Sequence, residues 1–160
     1  MKSMFAILLT AVALHAAPVL ADSPVSSPLT GKWAIDVAKL PMPPEARPKS
    51  VTLEFSTQAD GKWNTQVKIV NPDGSTMHSD ATLPLDGTPG PVTGDYWADV
   101  SAMKMPAPNV LVLQLAYKGT PSSTRIYTVT GDGKTLTETK AFFSKEGSPM
   151  LQTTTFSRVP

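Results

Sequence analysis

The segment "GDYWAD" (residues 94–99) holds the densest group of functional side chains in the chain. Asp95 and Asp99 flank Tyr96 and Trp97. An aromatic ring beside carboxylates can stack on a sugar while the carboxylates accept its hydroxyl protons. The same four residues equally suit a tryptophan that plugs a core and aspartates that cap a loop. Glycoside hydrolysis demands a set distance between two carboxylates, and sequence spacing does not fix one. Tyr117 adds a further aromatic side chain that could touch a ligand. No residue is assigned a catalytic role.

Other chemistries fail on inventory. The chain has two histidines, and only His78 follows the N-terminal leader described below. No Gly-x-Ser-x-Gly elbow is present, so a hydrolytic triad lacks its nucleophile signature and has one histidine to draw on. His78 lies in "STMHSDA", on the polar side of an alternating strand, which favours an exposed histidine over a general base. An imidazole or thiolate metal site needs several ligands, and there is no cysteine. Met103 and Met105, with Met42, Met77 and Met150, are soft thioethers that could suit Cu(I), although scattered methionines ordinarily fill gaps in cores. Accordingly no metal site is assigned, and no cofactor is indicated. Phosphate cradles and dinucleotide fingerprints are also absent.

The elements that must position these residues are strands. Trp33, Ile35 and Val37 alternate with Ala34, Asp36 and Ala38; Val51, Leu53 and Phe55 alternate with Thr52, Glu54 and Ser56. Such period-two patterning marks half-buried antiparallel strands. Asp60-Gly61, Asp73-Gly74, Asp86-Gly87 and Asp132-Gly133 read as hairpin turns, because glycine supplies the positive φ they need. About nine strands result, near 32–38, 50–58, 62–71, 75–84, 94–102, 110–118, 123–130, 134–144 and 149–158. The expected fold is all-β, an antiparallel up-and-down barrel of about eight to nine strands, with a β-sandwich as the alternative. Proline-rich loops at 40–50 and 84–94 would shape the mouth of the barrel. Thr135, Thr137, Thr139, Thr153, Thr154 and Thr155 would make a cavity partly polar if they point inward, and otherwise face solvent.

Residues 1–21 read as a secretory signal peptide. Lys2 supplies the positive start, Met4 to Leu14 an uncharged apolar run, and Val19-Leu20-Ala21 the small residues before cleavage. The alternative is a retained N-terminal anchor. Cleavage after Ala21 would leave a flexible segment over 22–30 and a single barrel domain over 31–160, in the periplasm or outside the cell. Of 14 basic residues only Lys2 leaves with the leader, so the remaining 13 balance 13 acidic ones. That balance, without a lysine-arginine block, excludes an electrostatic footprint for nucleic acid and gives no reason for membrane insertion after the leader is removed. Without cysteine, stability must come from packing.

Gly31-Lys32-Trp33 at the start of the first strand resembles the Gly-x-Trp signature of lipocalins, within the calycin group of β-barrels. The resemblance implies that Trp33 packs at the closed end against an arginine near the end of the chain, here Arg158 in "TTTFSRVP". Gly31, Trp33 and Arg158 would then close the barrel. The middle lipocalin motif, Thr-Asp-Tyr, is replaced by Gly94-Asp95-Tyr96, and the usual helix and disulfide are missing. The whole chain is also similar to small secreted bacterial domains of unassigned function, which pair an opening like "GKWAIDVAK" with a late hairpin like "DGKTLT" (132–137). With that fold expectation, the chain reads as a non-enzymatic binding protein for a small apolar or amphipathic ligand, with Asp95, Tyr96, Trp97 and Tyr117 as the residues expected to touch it. The alternative is a protein-interaction or protease-inhibitor-type barrel with a filled interior, working on a protein partner through its loops or its "DSPVSSPLT" arm.

Overall fold

Alternating strands joined by short turns can bury their apolar rows only by curling around one another. The computed structural model describes residues 27–95 and 97–160. The expected signal peptide (1–21), residues 22–26 and Tyr96 therefore lie outside the described residues. Eleven antiparallel strands form one sheet: β1 (Gly31–Ile35), β2 (Ser50–Thr57), β3 (Trp63–Val70), β4 (Thr76–Leu83), β5 (Gly90–Pro91), β6 (Thr93–Gly94), β7 (Val100–Ala107), β8 (Val110–Tyr117), β9 (Thr120–Val129), β10 (Thr135–Phe143) and β11 (Pro149–Val159). Strands β7 to β11 pair in sequence order, β11 pairs with β1, and β1 to β4 continue the meander. The result is a nearly closed up-and-down barrel made from a single sheet, not a sandwich.

The seam of the barrel is narrowed by two strands that alternation could not reveal. Between β4 and β7, β6 pairs with β4 and β5 pairs with β7, each over two residues. They raise the strand number to eleven, against the expected eight to nine. The 84–94 segment therefore runs along this seam and does not rim the mouth. Asp86-Gly87 is correspondingly no hairpin; the Gly87 N–H bonds to the Met103 carbonyl. The expected strand over 94–102 lies at β7, shifted towards the C-terminus, because Asp95 and residues 97–99 are not in a strand. The first strand ends at Ile35, where the Asp36 carboxylate accepts the Ala38 N–H and starts a 3-10 turn. A second such turn, Pro44–Ala46, interrupts the long loop before β2.

The other turns follow the chemistry of their residues. The N–H groups of Gly61, Gly74, Gly133 and Gly147 each bond to the carbonyl three residues back, and all four glycines have positive φ.

Trp33, Phe55, Trp63 and Tyr127 fill the barrel towards its closed end and are essentially inaccessible to solvent. The Phe55 ring lies 5.8 Å from Trp63 and meets Tyr127 edge-on at 5.3 Å, the offset geometries that aromatic quadrupoles favour. Between Thr65, Ser79, Ser101 and Met103 a space of only about 30 Å³ remains. The closed end also holds residues 27–30, the end of the segment expected to be flexible. The Ser27 hydroxyl donates to the Pro108 carbonyl (2.6 Å), and Leu29 is fully buried and accepts the Trp33 indole N–H (2.8 Å). Burial of Leu29 gives this stretch the apolar anchor that its proline-serine composition conceals.

Candidate functional site

Asp95 and Asp99 engage their carboxylates with backbone N–H groups of neighbouring elements. Asp95 Oδ1 accepts the His78 N–H and lies 3.0 Å from His78 Nδ1. Asp99 Oδ2 accepts the N–H of Lys118, a residue with φ of +50° at the β8–β9 turn. The aspartates thus tie the seam to β4 and to the β8–β9 hairpin. The backbone hydrogen bond from His78 is the main cause holding the Asp95 carboxyl below its ordinary value. Trp97 is 68% exposed, and Tyr117 is exposed beside Lys118, whose ammonium lies 5.1 Å from its ring centroid. Asp95, Trp97 and Tyr117 do not line the open end's two cavities, described next.

The first cavity is the mouth of the barrel, of about 220 Å³. One wall is apolar, with Ile35, Val51, Val67 and Ile69 from the strands and Leu40 and Met42 from the long loop. The opposite wall is polar: Arg125, Glu138, Lys140, Gln152 and Thr154. Strand pairing produces this wall, because Lys140 is opposite Arg125 on β9 and Gln152 on β11, while Glu138 is opposite Thr154. Thr154 shares the inward face with the buried Phe156, two residues on. Thr135, Thr137 and Thr139 lie on the face opposite Leu136 and Glu138.

At the floor of the mouth, Glu138 Oε1 accepts from Arg125 Nη1 and from the Tyr127 hydroxyl, both at 2.8 Å. The Arg125 and Glu138 side chains are only 12% and 9% exposed. Burial, followed by the nearby Glu138 carboxylate, holds the Tyr127 phenol well above its ordinary value, so it remains a hydrogen-bond donor.

The second cavity is larger, about 460 Å³, and mostly apolar. It exists because β9 and β10 part company: their pairing ends at Ala141 and Thr124, although β10 continues to Phe143. Pro121 and Ser123 form one side, and Phe142, Phe143, Met150 and Leu151 the other. Phe143 and Leu151 are 72% and 76% exposed. Within this cleft the Ser123 side chain is buried, and its hydroxyl has no hydrogen-bond partner among the described residues.

The chain matches no protein-family model, no curated protein and no solved structure. The reading of the site therefore stands on its geometry. Among the described residues, no three His, Cys, Asp or Glu side chains come together as metal ligands. The methionines are dispersed, with Met103 in the core, Met42 at the mouth and Met150 in the cleft.

Sequence reasoning did not find Arg125, Glu138, Lys140, Ser123 or the cleft. One signal was available. "TRIYTV" and "TLTETK" place Arg125 and Glu138 in phase with the apolar Tyr127 and Leu136, so each charge falls on the inward face of its strand.

Proposed function

We propose that this protein is a periplasmic or secreted binding protein, lipocalin-like in architecture, that holds a small amphipathic molecule at the open end of its barrel. The observation that carries this reading is the adjacency of a half-polar mouth and a 460 Å³ apolar cleft above a filled interior. The cleft falls within the roughly 300–1,000 Å³ range of small-molecule sites, which combine apolar walls with a few polar groups. Its location outside the packed core moves the ligand away from the deep interior. The secretory pattern of residues 1–21 supports the location, and the charge balance supports a ligand other than nucleic acid.

The test is mass spectrometry on protein exported to a periplasm, comparing native with denatured mass and identifying whatever is released. A defined adduct that leaves on denaturation is expected. Identical masses across independent preparations, with no response of tryptophan emission to amphiphiles, would overturn the reading.

A second reading has its own support. The packed aromatic interior and the exposed Phe143 and Leu151 suit a barrel that binds a protein partner through its β10–β11 hairpin. It requires a specific partner to be lost on Leu151→Asp while the mass measurement stays blank.

A further inference from the structure

The two cavities of the open end adjoin along β9, β10 and β11, and the polarity of these strands changes from one cavity to the other. On β10 the inward positions run from Glu138 through Lys140 to Phe142, towards the hairpin tip. Lys140 and Phe142 touch, with the ammonium 4.4 Å from the ring centroid, and Phe142 lines the cleft. On β9 the corresponding positions are Arg125 and Ser123. Lys140, which lines the mouth, thus reaches the deep end of the cleft through its contact with Phe142, while Ser123 lines the cleft itself and Phe143, Met150 and Leu151 form its outer end.

Charge settles which head group fits. Arg125 and Glu138 are paired with each other, and no ion pair among the described residues includes Lys140. The polar wall therefore carries one excess positive charge. Ser123 is 5% exposed, and its buried hydroxyl makes no hydrogen bond among the described residues. A buried donor in that condition carries an uncompensated desolvation penalty until it meets an acceptor. An acceptor bearing negative charge satisfies Ser123 and Lys140 together.

We propose that the ligand is a single-chain amphiphile with a carboxylate head, held between Lys140 and Ser123, whose hydrocarbon chain runs outward along the β9–β10 cleft over Phe142, Met150 and Leu151. This rests on the small-ligand reading above and gives it a ligand class and a direction. The head lies innermost and the chain towards solvent, because the core beneath the mouth is already filled by Trp33, Phe55 and Tyr127. The exposed apolar side chains of the hairpin then become the surface that covers the chain.

The experiment is titration calorimetry of the full mature protein with laurate and with dodecanol, which share a chain and differ in the head. Laurate is expected to bind at least about tenfold more tightly, the effect of one charge-assisted contact. Lys140→Met should remove that margin, Lys140→Arg should retain most of it, and Ser123→Ala should reduce it. Leu151→Asp should weaken both probes, with thermal unfolding showing that each variant remains folded. Equal affinities for laurate and dodecanol overturn the carboxylate head while leaving an apolar ligand standing. Laurate binding that depends on Lys140 but ignores Leu151→Asp overturns the cleft as the path of the chain. Failure of both probes overturns the inference, and the native-mass comparison, which depends on no chosen probe, decides the broader reading separately.

Discussion

The Arg158 guanidinium carbon lies 4.1 Å from the centroid of the Trp33 ring, and the two residues face each other in the β1–β11 ladder. The cation also gathers the chain end. Its Nε donates to the Gly133 carbonyl (2.7 Å), Nη1 to Thr30 (2.8 Å) and Nη2 to Pro28 (2.6 Å). One side chain thereby joins the first strand, the last strand, the β9–β10 turn and the segment before β1. Lysine offers a point charge in place of this fixed fork.

Arg158→Ala is therefore expected to lower stability by about 2–4 kcal/mol, because it removes three hydrogen bonds to carbonyls together with the cation–π interaction. Arg158→Lys should recover less than half of that stability. Urea unfolding monitored by circular dichroism measures both, and a decrease below about 0.5 kcal/mol for the alanine variant would remove Arg158 from the closure.

Gly31 is needed for the same arrangement. Its φ is +122°, and a Cβ there would come within 2.6 Å of Arg158 Nη1. Gly31→Ala should cost about 1–3 kcal/mol from backbone strain and displacement of the guanidinium. In an Arg158→Ala background only the strain remains, so the double mutant should be more stable than the two single effects summed. Strict additivity would separate Gly31 from Arg158.

The buried pair at the floor of the mouth makes an asymmetric prediction. Glu138→Leu removes the carboxylate from a largely buried arginine and should destabilise by about 3 kcal/mol, whereas Arg125→Met with Glu138→Leu should regain most of that. Tyr127→Phe should cost about 1 kcal/mol, since Glu138 retains its bond to Arg125. Comparing urea midpoints across the set checks the ordering.

Acid should weaken the fold through its turns. A side-chain bond from Ser75 is the main cause lowering the Asp73 carboxyl below 3.8, and one from Thr130 does the same for Asp132. For Asp60 the leading cause is the Lys62 side chain, and for Asp86 the Thr88 backbone N–H. A carboxyl whose folded value lies below its unfolded value binds protons more readily when unfolded. Its stabilisation is complete above the unfolded value near 3.8 and disappears as pH falls through the lower folded value. Thermal midpoints should be level from pH 7 to about pH 5 as far as these groups are concerned, then drop. Asp73→Asn with Asp132→Asn should flatten the drop; an unchanged acid profile would contradict it.

Fold class was legible because alternation is local. Leu53 and Phe55 announce an inward face from their spacing alone, and Asp73-Gly74 announces a turn from two residues. The Trp33–Arg158 pairing was legible through a resemblance that joins residues far apart in the chain. Strands β5 and β6 were not, since two residues cannot show a period. The site was the least legible part. "GDYWAD" drew attention by its residue types, yet Asp95 and Asp99 are occupied by backbone N–H groups of His78 and Lys118.

By itself, then, the sequence determined that the chain is all-β and where most of its strands lie. Only the tertiary structure decided that Lys140 reaches, through Phe142, the edge of an apolar cleft that Ser123 lines. Side-chain period specifies a face, but space between strands depends on where pairing stops. The β9–β10 ladder ends at Thr124 and Ala141 while β8–β9 and β10–β11 continue. That divergence is a property of three ladders together, and no single strand encodes it.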